Sequence, residues 1–217
     1  MSAYVSAEGI SKSFGKQKIL DHISIDFQKG KVYGIIGRNG SGKTVFLKIL
    51  CGLMSPNLGT VRVDGKMIGK DMDFPESIGA IIESPGFLPY WSGYKNLTYL
   101  ASLRNRIGAA EISDAMNLVG LDPKDKKPVG KYSLGMKQRL GLAQAIMEDP
   151  QLLILDEPMN GLDADSVGHM RILLKDMRNR GKTIILASHM QGDLAALCDE
   201  LYELNEGCLH FRTLHDC

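Results

Sequence analysis

The stretch Gly37-Arg38-Asn39-Gly40-Ser41-Gly42-Lys43-Thr44 fits the pattern G-x-x-x-x-G-K-[ST]. What surrounds it turns a pattern into a site. Residues 31–36 before it read as a strand, and residues 43–51 after it read as a helix, closed by Gly52 at the position a left-handed cap requires. Glycines let backbone N–H groups approach phosphate oxygens closely, and the helix N-terminus adds its positive end. In such a loop Lys43 reaches the β- and γ-phosphates of a nucleotide, and Thr44 turns its hydroxyl to Mg²⁺. Gly37, Arg38, Asn39, Gly40, Ser41, Gly42, Lys43 and Thr44 are therefore the expected ATP-binding residues.

Working outward, residues 5–68 are short β-rich segments with turn signals, including 23–27 and 60–68 around Asp64-Gly65, a dipeptide suited to a tight hairpin. Residues 78–82 read as a further strand. The texture then becomes helical, with helices expected over 94–105, 109–119 and 134–147. After Pro150 strand and helix alternate: strand 152–156, helix 163–180, strand 183–188, helix 191–198, and a closing hairpin around Asn205-Glu206-Gly207. This order predicts an α/β fold whose parallel sheet is flanked by helices, interrupted by a helical insertion.

Leu152-Leu153-Ile154-Leu155-Asp156-Glu157-Pro158 is an apolar strand ending in two carboxylates, at the sheet edge where ligands of open α/β folds collect. Asp156 is expected in the Mg²⁺ shell and Glu157 opposite the attacking water. His189 follows strand 183–188 and emerges at the same edge, where an imidazole can bond the γ-phosphate or orient Glu157.

The chain has 217 residues, 44% of them hydrophobic, enough for one sizeable core. Its 26 basic and 25 acidic residues leave a net charge of +1, which supplies no field to draw the protein onto nucleic acid. The four cysteines form no C-x-x-C pair, and with eleven methionines and no apolar leader this suits a reducing, cytoplasmic compartment. No apolar run approaches the roughly 18 residues needed to cross a bilayer, so a membrane role has to come through a partner. Cys208, His210, His215 and Cys217 match no zinc-finger spacing, and the basic stretch 124–131 is broken by Asp125 and reads as a solvated loop.

Tyr132-Ser133-Leu134-Gly135-Met136-Lys137-Gln138-Arg139 resembles the signature motif of ATP-binding cassette (ABC) proteins, and the resemblance spans essentially the whole chain. It implies a P-loop NTPase with a RecA-like core (1–82 and 151–217), an antiparallel β subdomain and a helical subdomain over about 87–147, all within one domain of residues 1–217. By the same resemblance Phe14 stacks on adenine, Glu83 occupies the Q-loop as a metal contact, Asn160-Gly161-Leu162-Asp163 is the D-loop and His189 the switch histidine. Ser133 can cap the helix that follows it, with its hydroxyl and the Gly135 N–H facing an anion. In the family, Ser133 and Gly135 would meet ATP held by a second cassette in a head-to-tail dimer.

The sequence departs from the family pattern at Leu134 and Met136, where glycine and glutamine are usual, and at Glu83, where the Q-loop usually has glutamine. The phrase 82–89 together with the altered signature resembles the branch of bacitracin and lantibiotic-immunity exporters. The aromatic block 85–93, with Phe87, Tyr90 and Trp91, lies where transporter cassettes receive a transmembrane permease subunit. The expectation is an ATPase motor subunit of an exporter, peripheral on the inner face of the membrane, using ATP and Mg²⁺. Two other readings are a soluble, non-transport cassette of the iron–sulfur-assembly kind and a degenerate partner cassette. Lys43, Asp156, Glu157 and His189 are all present, against the degenerate form.

Overall fold

The computed structural model describes residues 3–84, 86–189, 194 and 196–213. Three strands are buried along their whole length and apolar but for their ends: β3 (Val32–Ile36), β7 (Leu152–Asp156) and β8 (Thr183–Ser188). Such runs fit only the interior of a parallel sheet covered on both sides. They lie in a six-stranded sheet, order β10-β9-β3-β8-β7-β6, with β6 (Ile78–Ile81), β9 (Glu200–Asn205) and β10 (Cys208–Arg212). All pairs are parallel except the hairpin of β9 and β10. The C-terminal ends of β3, β8 and β7 are therefore neighbours, although far apart in the chain.

Period-two alternation divides this sheet's side chains between two cores. Leu152 and Ile154 of β7 join Tyr33, Ile35 and Ile185 in one cluster, against Phe46, Leu47 and Leu50 of α1 (Lys43–Leu50). Leu153 and Leu155 point the other way, to Met170, Leu174 and Met177 of α5 (Ala164–Asn179) and to the helical layer. That layer is α2 (Gly93–Arg104), α3 (Ala109–Leu118) and α4 (Leu134–Ile146), inserted between β6 and β7. Each expected helix is present within one residue at either end. The capping side chains explain the starts: Ser92, Ser133 and Asp163 accept hydrogen bonds from the N–H groups of Lys95, Met136 and Ser166. The expected helix 191–198 falls mostly outside the described residues.

A second, antiparallel sheet has the order β2-β1-β4-β5 and covers α1 from the far side. Its strands are β1 (Val5–Phe14), β2 (Gln17–Phe27), β4 (Leu58–Val63) and β5 (Lys66–Met67). β2 is 11 residues long, twice the expected 23–27 segment: Ile23, Ile25 and Phe27 alternate with polar residues, whereas in its first half the apolar residues Ile19 and Leu20 stand side by side and give no alternation. The β4–β5 turn has positive φ at both Asp64 (50°) and Gly65 (78°), as a two-residue primed turn demands. The closing hairpin repeats the device at Glu206 (48°) and Gly207 (80°).

Candidate functional site

β3 delivers the chain to Gly37 at the sheet edge. A Cβ at Gly37 would sit 2.6 Å from both the Leu204 carbonyl and Ser41 Oγ, so only glycine lets the loop turn there. Gly42 precedes α1 at φ 103° and offers no capping side chain, which leaves the first N–H groups of the helix to an anion. Lys43 is buried and curls back over its own loop, donating to the carbonyls of Gly37 (2.7 Å) and Arg38 (3.2 Å).

Asp156 ends β7 opposite this loop. Thr44 Oγ1 donates to Asp156 Oδ2 at 2.6 Å, while Asp156 Oδ1 is buried with no partner. Burial raises the Asp156 carboxyl above its ordinary range, the Thr44 hydrogen bond works against that, and the charges of Glu157 and Glu83 add to it. A hydroxyl and a carboxylate with one orphaned oxygen, in excess negative charge, form a hard oxygen donor set suited to Mg²⁺.

Glu157 holds a left-handed backbone, φ 47°, pinned by its N–H to the Ala187 carbonyl (2.9 Å). Its carboxylate is flanked on both sides. His189 Nδ1 lies 2.9 Å from Oε2 and Lys43 Nζ 3.8 Å from Oε1. β3, β7 and β8 thus bring Lys43, Asp156, Glu157 and His189 together at one edge. Lys43, Asp156 and Glu157 line a cleft of about 270 Å³ together with Phe14, Ile19 and Asn39, and His189 joins them through Glu157. Phe14 is half exposed at the end of β1, with the Lys12 ammonium 5.4 Å from its ring centre. A larger groove, about 510 Å³, runs past Leu118, Arg139 and His169 away from this edge, so size alone does not mark the site.

Other expected residues lie apart from the cleft. Glu83 has φ 58° and its carboxylate pairs with Lys48 Nζ at 2.8 Å, a partner the sequence did not suggest. It stays near enough for its charge to act on Asp156. Ser133 caps α4, and neither it nor Gly135 lines the cleft; Leu134 instead packs over Gly161 of the 160–163 turn. Gln138, a residue that sequence reasoning gave no separate role, is buried and donates to the Glu157 carbonyl at 3.1 Å. In the aromatic loop Phe87 packs on the core, and Trp91 lies beneath the Lys95 ammonium and edge-on to Tyr99. Tyr90 is 91% exposed. Pro85 is outside the described residues, as are His215 and Cys217; Cys208 and His210 lie on β10.

No helix among the described residues is long and apolar enough to cross a membrane. Residues 20–160 match the family model described as ABC transporter. The chain is 42% identical over 200 residues to an uncharacterized ABC transporter ATP-binding protein, YybJ, of Bacillus subtilis, covering 92% of each chain. It is 39% identical to the bacitracin transport ATP-binding protein BcrA of Enterococcus faecalis, over 96% of this chain and 68% of that one. Identity to the lantibiotic transport ATP-binding protein SrtF of Streptococcus pyogenes is 38%, over 96% of this chain and 90% of the relative. Among solved structures the fold matches a dimeric post-hydrolysis state of the ATP-binding cassette MJ0796 bound to ADP and Pi, with TM-score 0.87, 20% identity and coverage of 97% and 98%. The P-loop core, the antiparallel sheet, the helical insertion and the matched sequence agree, and the chain belongs to the ATP-binding ATPase subunits of the ABC transporter family.

Proposed function

We propose that this protein is the ATP-hydrolysing motor of an exporter of the bacitracin and lantibiotic type. Two cassettes would close on ATP, and hydrolysis would reopen them against a separate transmembrane permease at the cytoplasmic face. The observation that carries the reading is the convergence of Lys43, Glu157 and His189 at the ends of three adjacent strands, beside the orphaned oxygen of Asp156. The transport relatives favour this over a soluble cassette of the iron–sulfur-assembly kind.

In this reading the 37–44 loop and the N-terminus of α1 hold the phosphates, and Lys43 leaves its own carbonyls for the β- and γ-oxygens. Phe14 supplies a ring face for adenine. Thr44 and Asp156 would hold Mg²⁺, with Glu83 as a further ligand once freed from Lys48; bound there, the ion neutralises phosphate charge. Glu157 takes the proton of the attacking water, and His189, already on Oε2, keeps that carboxylate aimed. Ser133 and Gly135 would serve the nucleotide of the partner cassette. Leu88 and Tyr90, exposed on a loop anchored by buried Asn96 through Leu88, suit a permease contact.

Glu157→Gln is expected to keep ATP binding and to lower turnover about 10²- to 10⁴-fold, measured as phosphate release. Undiminished turnover would remove Glu157 as the base. Affinity-tagged protein recovered from membranes in Mg-ATP should bring down a multi-span protein. Recovery of soluble proteins alone, with ATPase activity intact, would assign it to the non-transport cassettes.

A further inference from the structure

The segment 157–163 rests on the first two turns of α4 at several points. Gln138 Nε2 donates to the Glu157 carbonyl at 3.1 Å. Leu134 covers Gly161 so closely that a Cβ there would meet Leu134 Cδ2 at 2.4 Å, and a Cβ at Gly135 would lie 3.1 Å from the Gly161 carbonyl. Arg139 adds a favourable charge to Asp163, the N-cap of α5.

Glu157 needs such support, because a non-glycine residue at φ 47° sits in a sparsely populated region that persists only where its surroundings over-determine it. Its N–H is fixed by Ala187 on β8, and its carbonyl accepts from Asn160 N (3.1 Å) within the same turn. The Gln138 amide reaches that carbonyl from the helical layer. It is 8% exposed, and an amide is a costly group to bury unless its hydrogen bond is used.

We propose that Gln138 is a positioning residue: by gripping the Glu157 carbonyl it fixes the left-handed backbone that aims the Glu157 carboxylate, and it ties that aim to the seating of α4. The proposal rests on the reading of Glu157 as the base. A shift of α4 relative to the core would turn the Glu157 peptide and spoil the geometry for proton abstraction while leaving the phosphate loop untouched. The helix that carries Ser133 at its start thereby controls the glutamate of its own chain.

The test is a double-mutant cycle of Gln138→Met, similar in length but without a donor, with Glu157→Gln, reading kcat, KM and nucleotide affinity. Gln138→Met alone should lower kcat about tenfold, the worth of one hydrogen bond at a strained carbonyl, with KM and ATP affinity unchanged. In the Glu157→Gln background the residual turnover should not fall further, because the group being aimed is gone. Gln138→Leu, likewise without a donor, has the same expected outcome and replaces the Met variant should that fail to fold. Unchanged kcat, a parallel loss of affinity and kcat, or the same fold-loss in both backgrounds would each overturn the proposal while leaving Glu157 as the base. Wild-type turnover in Glu157→Gln itself would overturn both readings, so the two failures are distinct.

Discussion

At Asp156 one carboxylate oxygen is held by the Thr44 hydroxyl while the other is buried without a partner. Burial is the largest cause of its raised pKa. A carboxyl raised by the fold adds stability that is complete below the unfolded chain's range and is lost as pH climbs through the folded value. Above that window the ionised carboxylate weighs against the nucleotide-free protein. Asp156→Asn keeps an acceptor for Thr44 and removes the charge, so at pH 7.5 the nucleotide-free variant should melt about 2–4 °C higher, corresponding to roughly 1 kcal/mol. It should also lose the added stabilisation that Mg²⁺ gives with ADP. Thermal unfolding with and without Mg-ADP checks both, and a lower melting point would show that the carboxylate stabilises the fold. Conserving the shape while removing the charge also separates this residue from Glu157, whose carboxylate has His189 and Lys43 beside it.

Among the described glycines, the tightest approach between elements is where β6 meets α4. A Cβ at Gly79 would lie 1.9 Å from the Ala145 carbonyl, a backbone atom that cannot swing aside. Gly79→Ala should therefore push α4 off the sheet and destabilise the protein by about 1–3 kcal/mol, read as a lower urea midpoint. An unchanged midpoint would mean that the helical layer floats on the core. Elements of this kind were legible in the sequence wherever the chain carries its own instruction: Asp64-Gly65 and Glu206-Gly207 demand primed turns, and the apolar run of β7 demands two covered faces. That Lys43, Asp156, Glu157 and His189 meet at one sheet edge was legible because each follows a recognisable strand or glycine loop. The first half of β2 was not, because Ile19 and Leu20 are adjacent and break the period-two alternation that marks a strand, although Leu20 is buried. Gln138 was silent for another reason: its partner is a carbonyl 19 residues away on another element, and no spacing rule reports such a bond. Glu83 shows the same gap, since its pairing with Lys48 arises from the geometry of α1.

Taken whole, the molecule is built on a six-stranded sheet with a core on each face, and the two strands that bound its parallel part, β6 and β9, meet different fates. β6 is backed by α4, as Gly79 shows. β9 is shielded by β10, which lies alongside it and whose turn carbonyl at Gly207 accepts from Asp21 N (2.8 Å) on β2. Removing 206–213 would uncover the hydrogen-bonding groups along β9, whose Leu201 and Leu204 are core residues, as a template for edge-to-edge pairing. Such a truncation should self-associate at micromolar concentration, seen as a rise in light scattering, where the intact chain stays dispersed. The carbonyl of Leu204 on β9 is also what Gly37 turns against. One ribbon, β9 with β10, would thus serve twice, closing a sheet edge and bracing the wall behind the phosphate loop, so a lesion there should be read in the test tube as insolubility and at the candidate site as slackness.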